Sequence, residues 1–193
     1  MSLALRTTYE PWMSAERFIA WAGDGTGRRF QLVDGEPVAM APASQVHARL
    51  QLRLGTRLNN HLAAHRPECE AMTEPGVQPI VDPEHNVRVP DLAVGYGPPE
   101  AHLLPAPVLI AEIVSPSNVR ETMESVRACL TIPSLREVVV LSSVAVAAEV
   151  YRRGPDGTWP EEPLRCGPGD ALRLDSLGFA CAMDELYAGL GLS

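Results

Sequence analysis

Residues 108–118 read VLIAEIVSPSN, and the reading of this stretch decides the fold. Val108 to Val114 is a nearly unbroken apolar run, as expected of a strand covered on both faces, so helices should lie on both sides of a sheet. Ser115-Pro116-Ser117-Asn118 ends the run and offers caps for a helix predicted from about Val119 to Leu130. Beyond it, Arg136 to Ser142 and Val144 to Arg152 are rich in β-formers, and Gly154-Pro155-Asp156-Gly157 turns the chain. Thr158 to Leu174 adds short strands, and Met183 to Leu190 closes with a small helix.

Upstream, Ser14 starts a short amphipathic helix carrying Phe18, Ile19 and Trp21, stopped by the glycine-rich run Gly23 to Gly27. Phe30 to Val33 and Pro37 to Met40 flank Asp34-Gly35, a strong hairpin signal because the tight turn needs positive φ. Ser44 caps a helix running to about Ala64, in which Val46, Leu50, Leu54, Leu58 and Leu62 recur every four residues as the buried stripe. From Cys69 to Leu92 the chain reads as extended, with strands at Gly76 to Val81 and Val87 to Val94 around the turn Asp82 to Asn86. The order predicts an α/β fold: a mixed central sheet flanked by helices, with an N-terminal β-hairpin, in one domain over residues 1–193.

Composition narrows the partners. The 193 residues carry 16 basic and 24 acidic side chains, a net charge of −8 that argues against a broad cationic surface for nucleic acid or an anionic membrane. It leaves room for a local basic strip and for an acidic pocket that holds a cation. Every basic residue is arginine; the chain has no lysine. The four cysteines are widely spaced without a C-x-x-C pair, and the N-terminus is not signal-like, so they read as reduced thiols of a cytoplasmic protein.

Two acids stand out. Asp91, after Pro90, interrupts one apolar strand, and Glu112 sits inside another. Burying both costs several kcal/mol each unless something positive neutralises them. A divalent cation held by two carboxylates, a backbone carbonyl and waters answers this and suits Mg²⁺ or Mn²⁺. A strand-end cap or an arginine partner answers it equally.

Residues 30–152 resemble the Uma-two family of restriction-type endonucleases, within the PD-(D/E)XK nuclease superfamily. The matching pieces are the Phe30-Gln31-Leu32-Val33-Asp34-Gly35-Glu36 hairpin, the Pro42 to His47 segment and Arg88-Val89-Pro90-Asp91. The strand ending Ala111-Glu112-Ile113-Val114-Ser115-Pro116-Ser117 and the segment Ile132-Pro133-Ser134-Leu135-Arg136-Glu137 follow in the family's order. The resemblance implies a Mg²⁺- or Mn²⁺-dependent phosphodiesterase core acting on DNA. It implies that Asp91 and Glu112, with the Ile113 carbonyl, hold the metal, and that Glu36 supplies a further ligand or orients a water. It sets His47 near a helix N-terminus, where the ring contacts phosphate or fixes Glu36. Ser115 lacks the Gly-x-Ser-x-Gly elbow of a hydrolase nucleophile and reads as a strand terminator or supporting hydroxyl.

The chain departs from the family at its lysine. The in-strand position two after Glu112 is Val114, and the alternative position on the following helix aligns with Ser125, with Cys129 four residues later where an aromatic is common. Arg127 or Arg120 on that helix is the candidate substitute, although a guanidinium cannot give up its proton. Loss of such a group costs on the order of 10²–10³ in rate. DNA is expected over the Arg49/Arg53/Arg57 row or Arg28-Arg29, a row that also fits a solvated helix face. The competing expectation is a catalytically degenerate fold relative that binds nucleic acid or protein, as a homodimer in one form. A small acidic interaction module using the proline-rich surface is a third.

Weaker signals are set aside. Gly23-Asp24-Gly25-Thr26-Gly27 follows a helix rather than a strand and lacks the phosphate-loop lysine. His61 and His65 share a helix face without a third ligand in sequence. Trp12, Trp21 and Trp159 are dispersed and read as packing residues.

Overall fold

The computed structural model describes residues 12–96 and 102–192. α1 (Ala15–Ala20) is capped by Ser14, whose hydroxyl accepts from the Arg17 N–H. The β1 (Phe30–Val33) and β2 (Glu36–Ala39) hairpin turns at Asp34 and Gly35, both at positive φ. Leu32 exchanges backbone hydrogen bonds with Val87 at 2.8 and 3.0 Å. The fully buried Asn86 accepts from the Asp34 N–H and donates to its carboxylate, which fastens the turn.

α2 (Gln45–His65) follows, then β3 (Glu70–Thr73), β4 (Leu92–Tyr96), β5 (Ala106–Val114), α3 (Val119–Cys129), β6 (Glu137–Ser142), β7 (Ala148–Arg152) and β8 (Leu164–Cys166). The six strands β3 to β8 form one sheet in sequence order. β5 and β6 run parallel, joined across α3, and every other neighbouring pair is antiparallel. β9 (Ala171–Leu174) and β10 (Phe179–Ala182) make a separate hairpin that leads into α4 (Met183–Tyr187).

β5 shows why the apolar run predicted this architecture. Strand side chains alternate between faces. Leu109, Ala111 and Ile113 pack with Leu50, Leu54, Leu58 and Leu62 of α2, while Ile110 packs with Val126 and Cys129 of α3. Glu112 falls on the α3 face.

Residues 76–81, expected as a strand, form only single bridges, Gly76 to Leu103 and Val77 to Arg88. Pro75 and Pro79 withhold ladder donors on both sides, and Ile80 and Val81 are exposed. The strand expected over Val87 to Val94 is broken at Pro90 and resumes as β4. Residues 144–146 form a bend instead of opening β7, because the Ser142 hydroxyl accepts from the Val144 and Ala145 N–H groups. β3 and β10 are strands that sequence did not single out. No helix among the described residues is long and apolar enough to cross a membrane.

Glu137, fully buried at the start of β6, ties the C-terminal hairpin to the sheet. It accepts from Arg152 Nε at 2.7 Å, from the Asp175 and Ser176 N–H groups at 3.0 and 2.8 Å, and from the Ser176 hydroxyl. Glu137→Ala leaves the Asp175 and Ser176 N–H groups without their acceptor and removes one of the partners of Arg152, and is expected to lower unfolding free energy by about 3–5 kcal/mol in urea titrations; a loss under about 1 kcal/mol would contradict this role.

Candidate functional site

The β4–β5 register brings the two acids together. Leu92 lies opposite Ala111, so one residue further Asp91 lies opposite Glu112 on the same face. Both are buried, at 8% and 7% exposure. The Ile113 N–H donates to Asp91 Oδ2 at 2.7 Å, and the Asp91 N–H donates to Glu112 Oε2 at 3.3 Å.

α2 fixes the strand from the other side. Ser44 caps it by accepting from the His47 N–H, and that first turn presents the His47 ring, whose Nε2 lies 2.9 Å from Asp91 Oδ1. Gln51, one turn on, donates from Nε2 to the Asp91 carbonyl at 2.7 Å. Asp91 is thus held at its N–H, its carbonyl and both carboxylate oxygens.

Glu112 is held far less. Burial first, and the negative charge of Asp91 second, push its carboxyl well above the usual range, against a smaller opposing pull from the Asp91 N–H. Cys129, buried beneath, has its thiol pushed up to about 12 by burial and by the Glu112 charge.

A cavity of about 250 Å³ opens over the pair, walled by Gln31 of β1, the end of β2 and the start of α3. His47, Asp91, Glu112, Glu121 and Ser125 line it, and no arginine does. Ser125 is buried, and its hydroxyl has no nitrogen or oxygen partner among the described residues. Among the described residues no three His, Cys, Asp or Glu side chains are clustered to hold a metal. Two facing buried carboxylates nevertheless fit a hard divalent cation that keeps several of its waters.

The other sequence candidates lie elsewhere. Glu36 opens β2 as an exposed residue outside the cavity lining, which takes in Val38 and Ala39 at the other end of that strand. Arg127 is exposed on the opposite side of α3, where its charge acts on Tyr151, and Arg120 pairs with Glu121 at 3.0 Å. The arginine row of α2 is not a free strip. Arg53 donates to the carbonyls of Leu186 and Ala188 at 3.0 and 2.7 Å, and Arg57 pairs with Glu185 at 3.2 Å, so both secure α4. Arg49 is exposed, and Arg29 pairs with Glu74. Ser115 closes the turn after β5 through Ser117 and Asn118. His61 Nε2 donates to the Leu177 carbonyl at 3.0 Å, and its ring meets Phe179.

Sequence reading missed Gln51, Glu121 and Arg88. Gln51 follows His47 at the four-residue helical spacing and was findable once His47 was in hand. Arg88 is buried at 6% exposure, donates to Asn86 Oδ1 at 3.0 Å, and leaves Nε without a partner among the described residues.

The fold is an α/β domain with a mixed central sheet flanked by helices, and the acidic pair lies on one face of that sheet. The family model Uma2, described as "putative restriction endonuclease", matches residues 15–184, and the chain belongs to this family. An uncharacterized protein of Synechocystis, slr1290, is 28% identical over 184 residues, covering 93% of this chain and 94% of its own. A crystal structure described as a putative nuclease belonging to DUF820, from Anabaena variabilis, superposes with a TM-score of 0.75 at 17% identity. It covers 92% of this chain and 99% of its own, and the likeness is one of fold.

Because the folded pKa of Glu112 is raised, the folded chain binds a proton that the unfolded chain releases. The stability from this group is complete below the ordinary carboxylate range and is lost as pH rises toward the folded value. Without divalent cation, the wild-type melting temperature is expected to fall across that window, and Glu112→Gln to melt higher than wild type at its upper end. Identical pH–melting curves for the two proteins would contradict the shift.

Proposed function

We propose that the protein is a divalent-cation-dependent endonuclease that hydrolyses DNA phosphodiester bonds at the Asp91–Glu112 pair, with Mg²⁺ or Mn²⁺ as cofactor. The observation that carries this reading is the pairing of two buried carboxylates across one strand register, facing a cavity without an arginine. Membership in a restriction-endonuclease family supports it.

Asp91, Glu112 and the Ile113 carbonyl would hold the cation. When bound, the ion supplies positive charge against the phosphoryl oxygens and acidifies a water. The chain does the positioning. His47 and the Ile113 N–H lock the Asp91 carboxylate in one orientation, and Gln51 holds its backbone, so little reorganisation remains for the reaction. The N-terminal turns of α2 and α3 border the cavity and direct N–H dipoles toward an arriving phosphate. Burial of Glu112 excludes water from the acidic floor and strengthens its attraction for a cation.

A second reading has its own observation. Ser125 lines the cavity at the family's lysine position, Val114 does not line it, and Arg127 is turned away, so the chain brings no lysine-like charge to the phosphate. That favours slow catalysis or a binding role for nucleic acid or protein. Mg²⁺ or Mn²⁺ is expected to raise the melting temperature of the wild type and not of Asp91→Ala. Plasmid nicking with either ion is expected to vanish in Glu112→Gln. Cation binding without nicking supports the second reading, and no cation-dependent stabilisation overturns the first.

A further inference from the structure

A second cavity, of about 350 Å³, opens on the other side of the β1–β2 hairpin. Phe18, Trp21 and Phe30 supply its rings, and Arg28 and His102 line it with polar groups. Trp21 meets Phe30 edge-on, with ring centroids 4.9 Å apart, and is tilted against Phe18 at 6.2 Å. All three side chains are half-buried: Phe18 and Trp21 pack on one side against the small core of Met13, Ala15, Leu32 and Val87, and the surface left over lines the cavity.

The two cavities are neighbours by construction. Successive strand residues point to opposite sides: Phe30 lines the aromatic cavity and Gln31 the acidic one. Val89, two residues before Asp91, lines both. Beside a site that would grip a phosphate there is thus a ring-walled recess with an exposed arginine.

We propose that this recess receives an unstacked nucleobase of the strand whose phosphate lies at Asp91 and Glu112, which makes single-stranded or locally unpaired DNA the preferred substrate. The inference rests on the nuclease reading for the identity of the ligand. Aromatic faces stack on any base and arginine complements the attached backbone, so the pairing of ring and guanidinium suits a nucleotide. The volume lies in the range of small-ligand sites, ample for a base and its sugar. A base within a duplex reaches such a recess only by leaving the stack, and an unpaired base does so at least cost. The arrangement gives a strongly acidic chain a means of holding nucleic acid that does not depend on a broad cationic face.

The test is binding of a labelled oligothymidylate and of its duplex with oligodeoxyadenylate, measured by anisotropy in EDTA, so that neither cation nor cleavage enters. Single strand is expected to bind about tenfold more tightly than duplex, and Trp21→Leu to lose about tenfold of the single-strand affinity with duplex binding unchanged. Arg28→Gln and Ala22→Glu change exposed rim positions without removing packing, and each is expected to weaken single-strand binding severalfold. They carry the test should Trp21→Leu not fold. Equal affinity for the two forms, or rim variants that bind as wild type, overturns the proposal even where plasmid is cleaved. Single-strand binding through the recess without any cleavage upholds it and overturns the nuclease reading instead.

Discussion

Two buried carboxylates facing each other, Asp91 at the entry to β4 and Glu112 within β5, are the constraint to which the rest of this molecule answers. Water would stabilise both charges, and the fold removes them from it. The placement depends on the β4–β5 register: a one-residue slip would turn Asp91 toward the leucine face of α2. The chain secures that register from several directions. Leu92, Val94, Leu109 and Ala111 bury their side chains against α2, and Gln51 grips the Asp91 carbonyl. The Ile113 N–H reaches across to the Asp91 carboxylate. Each Asp91 carboxylate oxygen has one protein partner and keeps a lone pair for an ion, whereas Glu112 has the Asp91 N–H and little else. The asymmetry makes Glu112 the group that most needs a cation.

The sequence made legible those features that local chemistry sets. Asp34-Gly35 specified the hairpin, Ser14 and Ser44 their helices, and the apolar run through Glu112 a doubly covered strand. The acid pair was legible because a charge inside an apolar strand is expensive wherever the strand lies. What was hidden depends on distant partners. Nothing local to Glu137 tells that it will collect donors from Arg152, Asp175 and Ser176, or that Arg53 and Arg57 will secure α4 rather than face a substrate. Glu36 matched an acidic family position in sequence, but its place relative to Asp91 is set by the path of the hairpin over the sheet. Pro75 and Pro79 were visible, yet the β-formers between and after them outweighed their lost donors in the reading.

The distribution of arginines bears on how so acidic a chain would meet nucleic acid. Arg53, Arg57, Arg152 and Arg153 are occupied by carbonyls and carboxylates of the fold itself. Arg88 is buried beneath the hairpin, and Arg28 is exposed and lines the aromatic cavity. Local helix dipoles, a cation and aromatic stacking then have to supply what a basic surface supplies elsewhere.

Crystals grown or soaked with Mn²⁺ and measured for anomalous scattering test the central claim most directly. One strong anomalous peak is expected within bonding distance of carboxylate oxygens from both Asp91 and Glu112, and none in crystals of Asp91→Ala. Anomalous density only at other positions, or the two carboxylates unchanged and without an ion at saturating Mn²⁺, would contradict it.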